Sequence, residues 1–189
     1  MLSIEEYKEI IRPKLTEARF IHSVNVSETA AELARLYGCD EEKAAVAGIL
    51  HDIMKDTAKE QQLKMLSDFG IILNAIEKLT PSLWHQISGA AYIEKILGIK
   101  DEDILGAVRY HTSGKAGMTT FEKIIFIADF ISADRVYPGV ERMREFAHES
   151  LYKAIVEGLA FTIKELALKN RPIIADTIHA YNEAVLKNI

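Results

Sequence analysis

The chain has 189 residues, with 49% hydrophobic and 27% charged side chains and a formal net charge of −5, which excludes a chain disordered over most of its length. Ten glycines and four prolines are too few for a fold of many tight turns, so the composition points to helices. Its length suits one domain with a sizeable core, and we read residues 1–189 as a single, compact all-α unit of eight or more helices.

In chain order, Ser3 caps a short helix over residues 4–12 that Pro13 ends. A longer helix runs over residues 17–37 and stops at Gly38. Asp40 caps the next, whose pattern EEKAAVAGILHDIMK predicts a helix as far as Lys55. AKEQQLKMLSDF forms another, ending at Gly70. After Thr80-Pro81, Ser82 is the expected cap of SLWHQISGAAYIEKIL. Asp101 opens EDILGAVRYH, and residues 112–118, with two glycines and little apolar content, read as a loop. Thr119 or Thr120 caps FEKIIFIADFISAD, and Tyr137-Pro138-Gly139 forms the turn after it. Two helices, over residues 142–170 and 173–188, complete the pattern.

One cysteine, Cys39, makes no internal disulfide, and the acidic opening MLSIEEYKEI is unlike a signal peptide, so a cytoplasmic setting is expected. The longest uncharged apolar stretch, Ala44 to Leu50, is far short of the roughly 20 residues of a membrane span. Net negative charge without a basic arm argues against nucleic acid as a partner and leaves open a small phosphate-bearing molecule. The C-terminal helices either cover the core or form the face of a homodimer.

The chemistry lies in His51-Asp52, which follows the small residues Ala44, Ala45, Ala47 and Gly48. Further donors stand on separate segments among apolar neighbours: His22, His85, His111 and Asp129. Asp129 interrupts the run from Ile124 to Ile131, where an unpaired buried carboxylate costs several kcal/mol, roughly, and a cation removes that cost. His22, His51, Asp52 and Asp129 are the N and O donors that hydrolytic first-row metals prefer. A lone histidine on an apolar face is more often a hydrogen-bonded core residue, so the ordered set carries the reading and no single member does. His148 and His179 lie in amphipathic C-terminal segments and are read as ordinary surface residues.

The order His22, His51-Asp52, His85, His111, Asp129 resembles the HD-domain metal-dependent phosphohydrolases. The words ILHDIMKD, WHQISGAAYI, VRYHTSGKAGMTTFEKIIFIADFISADRVYPGVERMR and RPIIADTIHAYN narrow the resemblance to the YqeK family, over nearly the whole chain. It implies symmetrical hydrolysis of diadenosine tetraphosphate, a dinucleoside polyphosphate, to two ADP. It also implies one or two bound metal ions, iron first, with manganese, cobalt and zinc compatible with the same donors. His22, His51, Asp52 and Asp129 match the family's metal ligands. His85 and His111 match positions beside them that either hold a second metal, with Asp52 as the bridge, or contact phosphate. Asp52, His85 and His111 are thus the expected catalytic residues.

Lys55 and Arg135 are candidate phosphate contacts, as is Thr112 in the loop after His111. The resemblance adds Arg171 and Thr177. For the base, Trp84, Tyr110 and Tyr137 are the nearby aromatics, each able to stack or to fill the core. Other HD nucleotide hydrolases, acting on deoxynucleotides or guanosine alarmones, and a nucleotide-sensing module without turnover are the alternatives.

Overall fold

The computed structural model describes residues 1–187 and contains eleven α-helices, two short 3-10 turns and no strand among them. The helices are α1 (Ile4–Ile11), α2 (Glu17–Tyr37), α3 (Glu41–Leu50), α4 (Lys59–Asp68), α5 (Ala75–Lys78), α6 (Trp84–Lys95), α7 (Glu102–Tyr110), α8 (Thr120–Ile131), α9 (Val140–Glu149), α10 (Leu151–Leu168) and α11 (Ala175–Leu186). None is long and apolar enough to cross a membrane.

Several ends follow the local chemistry. Ser3 and Glu6 form a capping box at α1, and Thr119 and Glu122 do the same at α8. Asp40 and Asp101 each accept backbone N–H groups at the starts of α3 and α7. Gly38 ends α2 at φ 70°, a left-handed conformation that costs glycine nothing.

Four boundaries differ from the expected ones. α3 stops at Leu50, and the chain leaves through tight turns in which Ile53 N–H donates to the Leu50 carbonyl and Lys55 N–H to that of Asp52. Ser82 caps nothing: it lies inside the 3-10 turn Pro81–Leu83, and α6 begins without a side-chain cap. α8 ends at Ile131, before Ser132-Ala133-Asp134. The long helix expected over residues 142–170 is two, α9 and α10, because Ser150 is extended at φ −160° and its side chain caps α10. The structure also adds α5, opened by a capping box between Asn74 and Glu77.

α8 is the hub. Its Ile124, Ile125, Phe126, Ile127 and Ala128 have no exposed surface, and α2, α3, α7, α9 and α10 pack around it. Each isoleucine so buried contributes roughly 1.5–3 kcal/mol. One apolar core runs from Tyr7 on α1 to Ala184 on α11, while Leu66, Leu73, Trp84, Ile87 and Ala91 form a satellite beneath α4 and α5.

α2 and α3 approach most intimately at Gly48. A β-carbon there would stand 2.7 Å from Ser27 Cα and 2.9 Å from the Val26 carbonyl oxygen, so backbone would have to move. Gly48→Ala is expected to cost roughly 1–3 kcal/mol, a fall in Tm of about 3–10 °C for a chain of this size. An unchanged melting curve would show that the two helices have slack.

Candidate metal centre

The early end of α3 makes the centre. His51 and Asp52 are both buried, and their ligand atoms lie within 4.8 Å of each other. His51 closes α3, and its Nδ1 donates to the Gly48 carbonyl at 2.7 Å. Its Nε2 lies 3.4 Å from Asp52 Oδ2 and 3.9 Å from Asp129 Oδ1, buried and without a hydrogen bond.

His111 repeats the device at the end of α7. Its Nδ1 donates to the Val108 carbonyl at 2.8 Å, and its Nε2 lies 3.4 Å from Asp52 Oδ1. His22, on α2, is oriented by Asp134, whose Oδ2 is 2.8 Å from its Nδ1, while its Nε2 meets Asp129 Oδ1 at 2.9 Å. Asp134 is itself held by Asn25. Three imidazoles anchored through Nδ1, with Nε2 turned inward, are what metal-binding histidines need from their surroundings.

Asp129 reaches the same point from the hub helix. Burial would raise its carboxyl, but His22, Arg135 and His51 outweigh that and hold it well below the usual carboxylate range. Because α8 ends at Ile131, the chain turns back and Arg135, six residues on, binds the Asp129 carboxylate and backbone carbonyl. Burial likewise acts against ionised Asp52, and His51, His111 and His85 more than offset it. Arg19 fixes Asp52 Oδ2 at 2.7 Å.

His85, on α6, is crowded. Lys55 Nζ and His111 Nε2 lie 3.1 Å from its Nε2, and Thr112 Oγ1 and Asp52 Oδ1 lie at 3.2 Å, while its Nδ1 has no partner. One ring nitrogen offers one hydrogen-bonding site, so several atoms here share a point that one ion or phosphate oxygen suits. Burial lowers the His85 pKa to about 4, so the ring is neutral at pH 7.

This has a consequence for the metal-free protein. Between pH 6.5 and about 4, the unfolded chain takes up a proton that folded His85 refuses, so stability falls as pH drops through that window. The loss by pH 5 is about 2 kcal/mol. Thermal melts at pH 7 and pH 5 should show a steeper fall for the metal-free wild type than for His85→Gln. Parallel falls would mean that His85 is not the group responsible.

The arrangement fits a metal. His22, His51 and Asp129 offer ligand atoms within 4.8 Å of one another, and His51, Asp52 and His111 form a second such group. The orphaned His51 Nε2 and Asp52 Oδ1 are the buried atoms that an ion would satisfy. Shared His51 and adjacent Asp52 link the two groups.

Other expected site residues lie further out. Thr177 is buried, and its hydroxyl donates to the Ser113 carbonyl. Gln86 donates to Ser113 Oγ and accepts from Thr112 N–H, so Gln86 and Thr177 together brace the loop after His111. Arg171 is exposed in the segment between α10 and α11, and the structure does not bring it to the cluster through a hydrogen bond or ion pair. Arg109 pairs with buried Glu77. Trp84 fills the satellite core, its Nε1 donating to the Glu77 carbonyl, and Tyr110 lies under Lys115 and Arg109. Tyr137 alone of the three aromatics borders a cavity beside Asp129. Sequence reasoning missed Arg19, Asp134 and Gln86. Arg19 carried a usable signal, since it stands one turn before His22 on the same helix.

An all-helical core that gathers these histidines and aspartates is the architecture of an HD domain: that family matches residues 19–134, and the chain belongs to it. Within the family, the chain is 40% identical over 178 residues to the symmetrical bis(5'-nucleosyl)-tetraphosphatase of Bacillus subtilis, covering 94% of this chain and 95% of that protein. It is 42% identical to the enzyme of the same name from Halalkalibacterium halodurans, covering 95% of each. A crystal structure of a "predicted HD superfamily hydrolase involved in NAD metabolism" from Clostridium acetobutylicum superposes with a TM-score of 0.95 at 35% identity, over 99% of both chains.

Proposed function

We propose that the protein is a metal-dependent phosphoanhydride hydrolase that cleaves diadenosine tetraphosphate symmetrically to two ADP. The observation that carries this is the convergence of three Nδ1-anchored imidazoles and two ionised carboxylates on buried, unsatisfied donor atoms. Relatives of nearly the same length that bear the name of that activity support the substrate. His22, His51, Asp52 and Asp129 would hold the metal, and iron is the ion we favour. When bound, such an ion supplies a more acidic water and offsets charge building on the attacked phosphoryl group.

The protein's own groups do the rest. Asp52 is pinned through Oδ2 by Arg19, so Oδ1 stays aimed at the cluster, where it orients the attacking water and accepts its proton. Water oxygen bonds to one of the two inner phosphorus atoms, the bond from that phosphorus to the central bridging oxygen breaks, and the electron pair leaves on that oxygen with the departing ADP. His85, neutral at pH 7, and His111 contact a phosphate oxygen or help to hold a second ion. Lys55 and Arg135 balance phosphate charge, with Thr112 beside them. A polar cavity of about 240 Å³, where Arg19, His22 and Arg135 stand beside the carboxylates Asp56 and Asp134, opens next to the cluster. Thr177 serves by bracing the loop, and Arg171 by charge at longer range. The core shared from α1 to α11 supports residues 1–189 acting as one unit.

Chromatography of the products tests this reading. ADP alone from diadenosine tetraphosphate is expected at every time point. ATP with AMP would place the cut at an outer anhydride, and no cleavage would turn attention to another nucleotide.

A further inference from the structure

The last four carbonyls of a helix find no partner within it, and at the end of α8 each finds one in the chain that follows. The Ser132 N–H donates to the Ala128 carbonyl. Arg135 Nε donates to that of Asp129 at 2.6 Å, the Tyr137 hydroxyl to that of Phe130 at 3.1 Å, and Arg144 Nε, from α9, to that of Ile131 at 3.0 Å. α8 has no basic residue in its own last turn, so the two guanidinium groups also bring the positive charge that a helix C-terminus favours.

Arg144 reaches further than a cap. Its Nη2 donates to the Ser132 carbonyl at 3.0 Å and to the Arg135 carbonyl at 3.2 Å. One planar group therefore ties the end of α8 to the point where the chain has turned back. The tied segment carries Asp134 to His22 Nδ1 and Arg135 to the Asp129 carboxylate.

Little else holds that segment. Ala133 and Asp134 are exposed and Val136 is 92% exposed, so no apolar side chain between Ser132 and Tyr137 anchors it in the core. Arg144 stands on firmer ground. It is partly buried on a helix whose Met143 and Ala147 belong to the core.

We propose that Arg144 is a positioning residue of the metal centre: through the carbonyls of Ile131, Ser132 and Arg135 it sets Arg135 against Asp129 and Asp134 against His22. The reaction it serves is the one proposed above; the positioning itself rests on these bonds. Its remaining nitrogen, Nη1, pairs with Glu141, which is 78% exposed. Such a surface pair contributes little, so Glu141 separates the work of the charge from the work of the fork.

Two readouts test the proposal. The first needs no substrate: nitrogen-resolved NMR of the metal-free full chain follows exchange of the Arg135 Nε proton with water, the signal being assigned by its loss in Arg135→Lys. Arg144→Met keeps the alkyl stem and loses the fork, and exchange in it should quicken about tenfold or more as the segment loosens. The second is turnover of diadenosine tetraphosphate by metal-loaded protein below its melting temperature. In Arg144→Met, kcat/KM should fall about 10–100-fold, the cost of losing a group that orients a ligand. Arg144→Lys should not restore it, since one ammonium does not reproduce a planar fork. Glu141→Gln should leave both readouts within about threefold of wild type. Arg144→Met combined with Arg135→Met should fall well short of the product of the single effects, because the two act along one path.

Unchanged exchange in both Arg144 variants, full turnover in them beside a lowered melting temperature, or a full product in the double variant would each overturn the proposal and leave Arg144 as a helix cap. Exchange that responds as expected in a protein that does not cleave diadenosine tetraphosphate would keep the positioning role and remove the proposed activity. Turnover with unmoved exchange would do the reverse.

Discussion

Asp129→Ala is expected to abolish metal retention and turnover together, each by at least 100-fold, beyond the roughly 10–100-fold cost of losing a group that merely orients a ligand. The carboxylate sits on the hub helix, directly after the fully buried run Ile124 to Ala128, and its ionised form is maintained against burial by His22, Arg135 and His51. Nothing in the apolar packing of α8 needs it, so helix content by circular dichroism should stay at the wild-type level. Full metal content in this variant, measured by elemental analysis, would remove Asp129 from the ligand set.

Asp52→Asn is expected to separate the two readouts. The group His22, His51 and Asp129 remains intact in this variant, so at least one ion should be retained. The amide cannot accept the water proton and no longer pairs with Arg19, so turnover should fall by about 10²–10⁴-fold, the range for a general base. Turnover within tenfold of wild type would assign Asp52 to structure alone. Parallel loss in both variants would merge the two donor groups into one inseparable site.

The donors themselves were legible because the chemistry restricts them to few residue types. Asp129 stood out as a carboxylate inside an apolar run, and the histidines as an ordered set on successive segments. What orients them was hidden for two reasons. His51 and His111 are anchored by the carbonyls of Gly48 and Val108, and any residue supplies a carbonyl. His22 and Asp52 are held by Asp134 and Arg19, which lie 112 and 33 positions away. Pairing over such distances is set by how helices pack, which periodicity along one helix does not encode.

Helix ends show the same division. Asp40, Asp101 and Thr119 were readable because a cap is a local bond between a side chain and the next turn. The stop at Leu50 was not, since EEKAAVAGILHDIMK keeps a helical pattern through the segment where the Ile53 and Lys55 N–H groups reach carbonyls only three residues back. The break at Ser150 has neither proline nor glycine, only a serine whose capping role depends on α9 and α10 taking separate directions over the core.

The measurement that bears most directly on the account is made on one sample carried through metal removal and return. Protein stripped by chelation and reloaded with iron in steps is assayed at each step for metal content and for ADP released from diadenosine tetraphosphate. The account predicts negligible turnover in the stripped protein and recovery in proportion to the iron bound at the cluster. Undiminished ADP release by metal-free protein would contradict it.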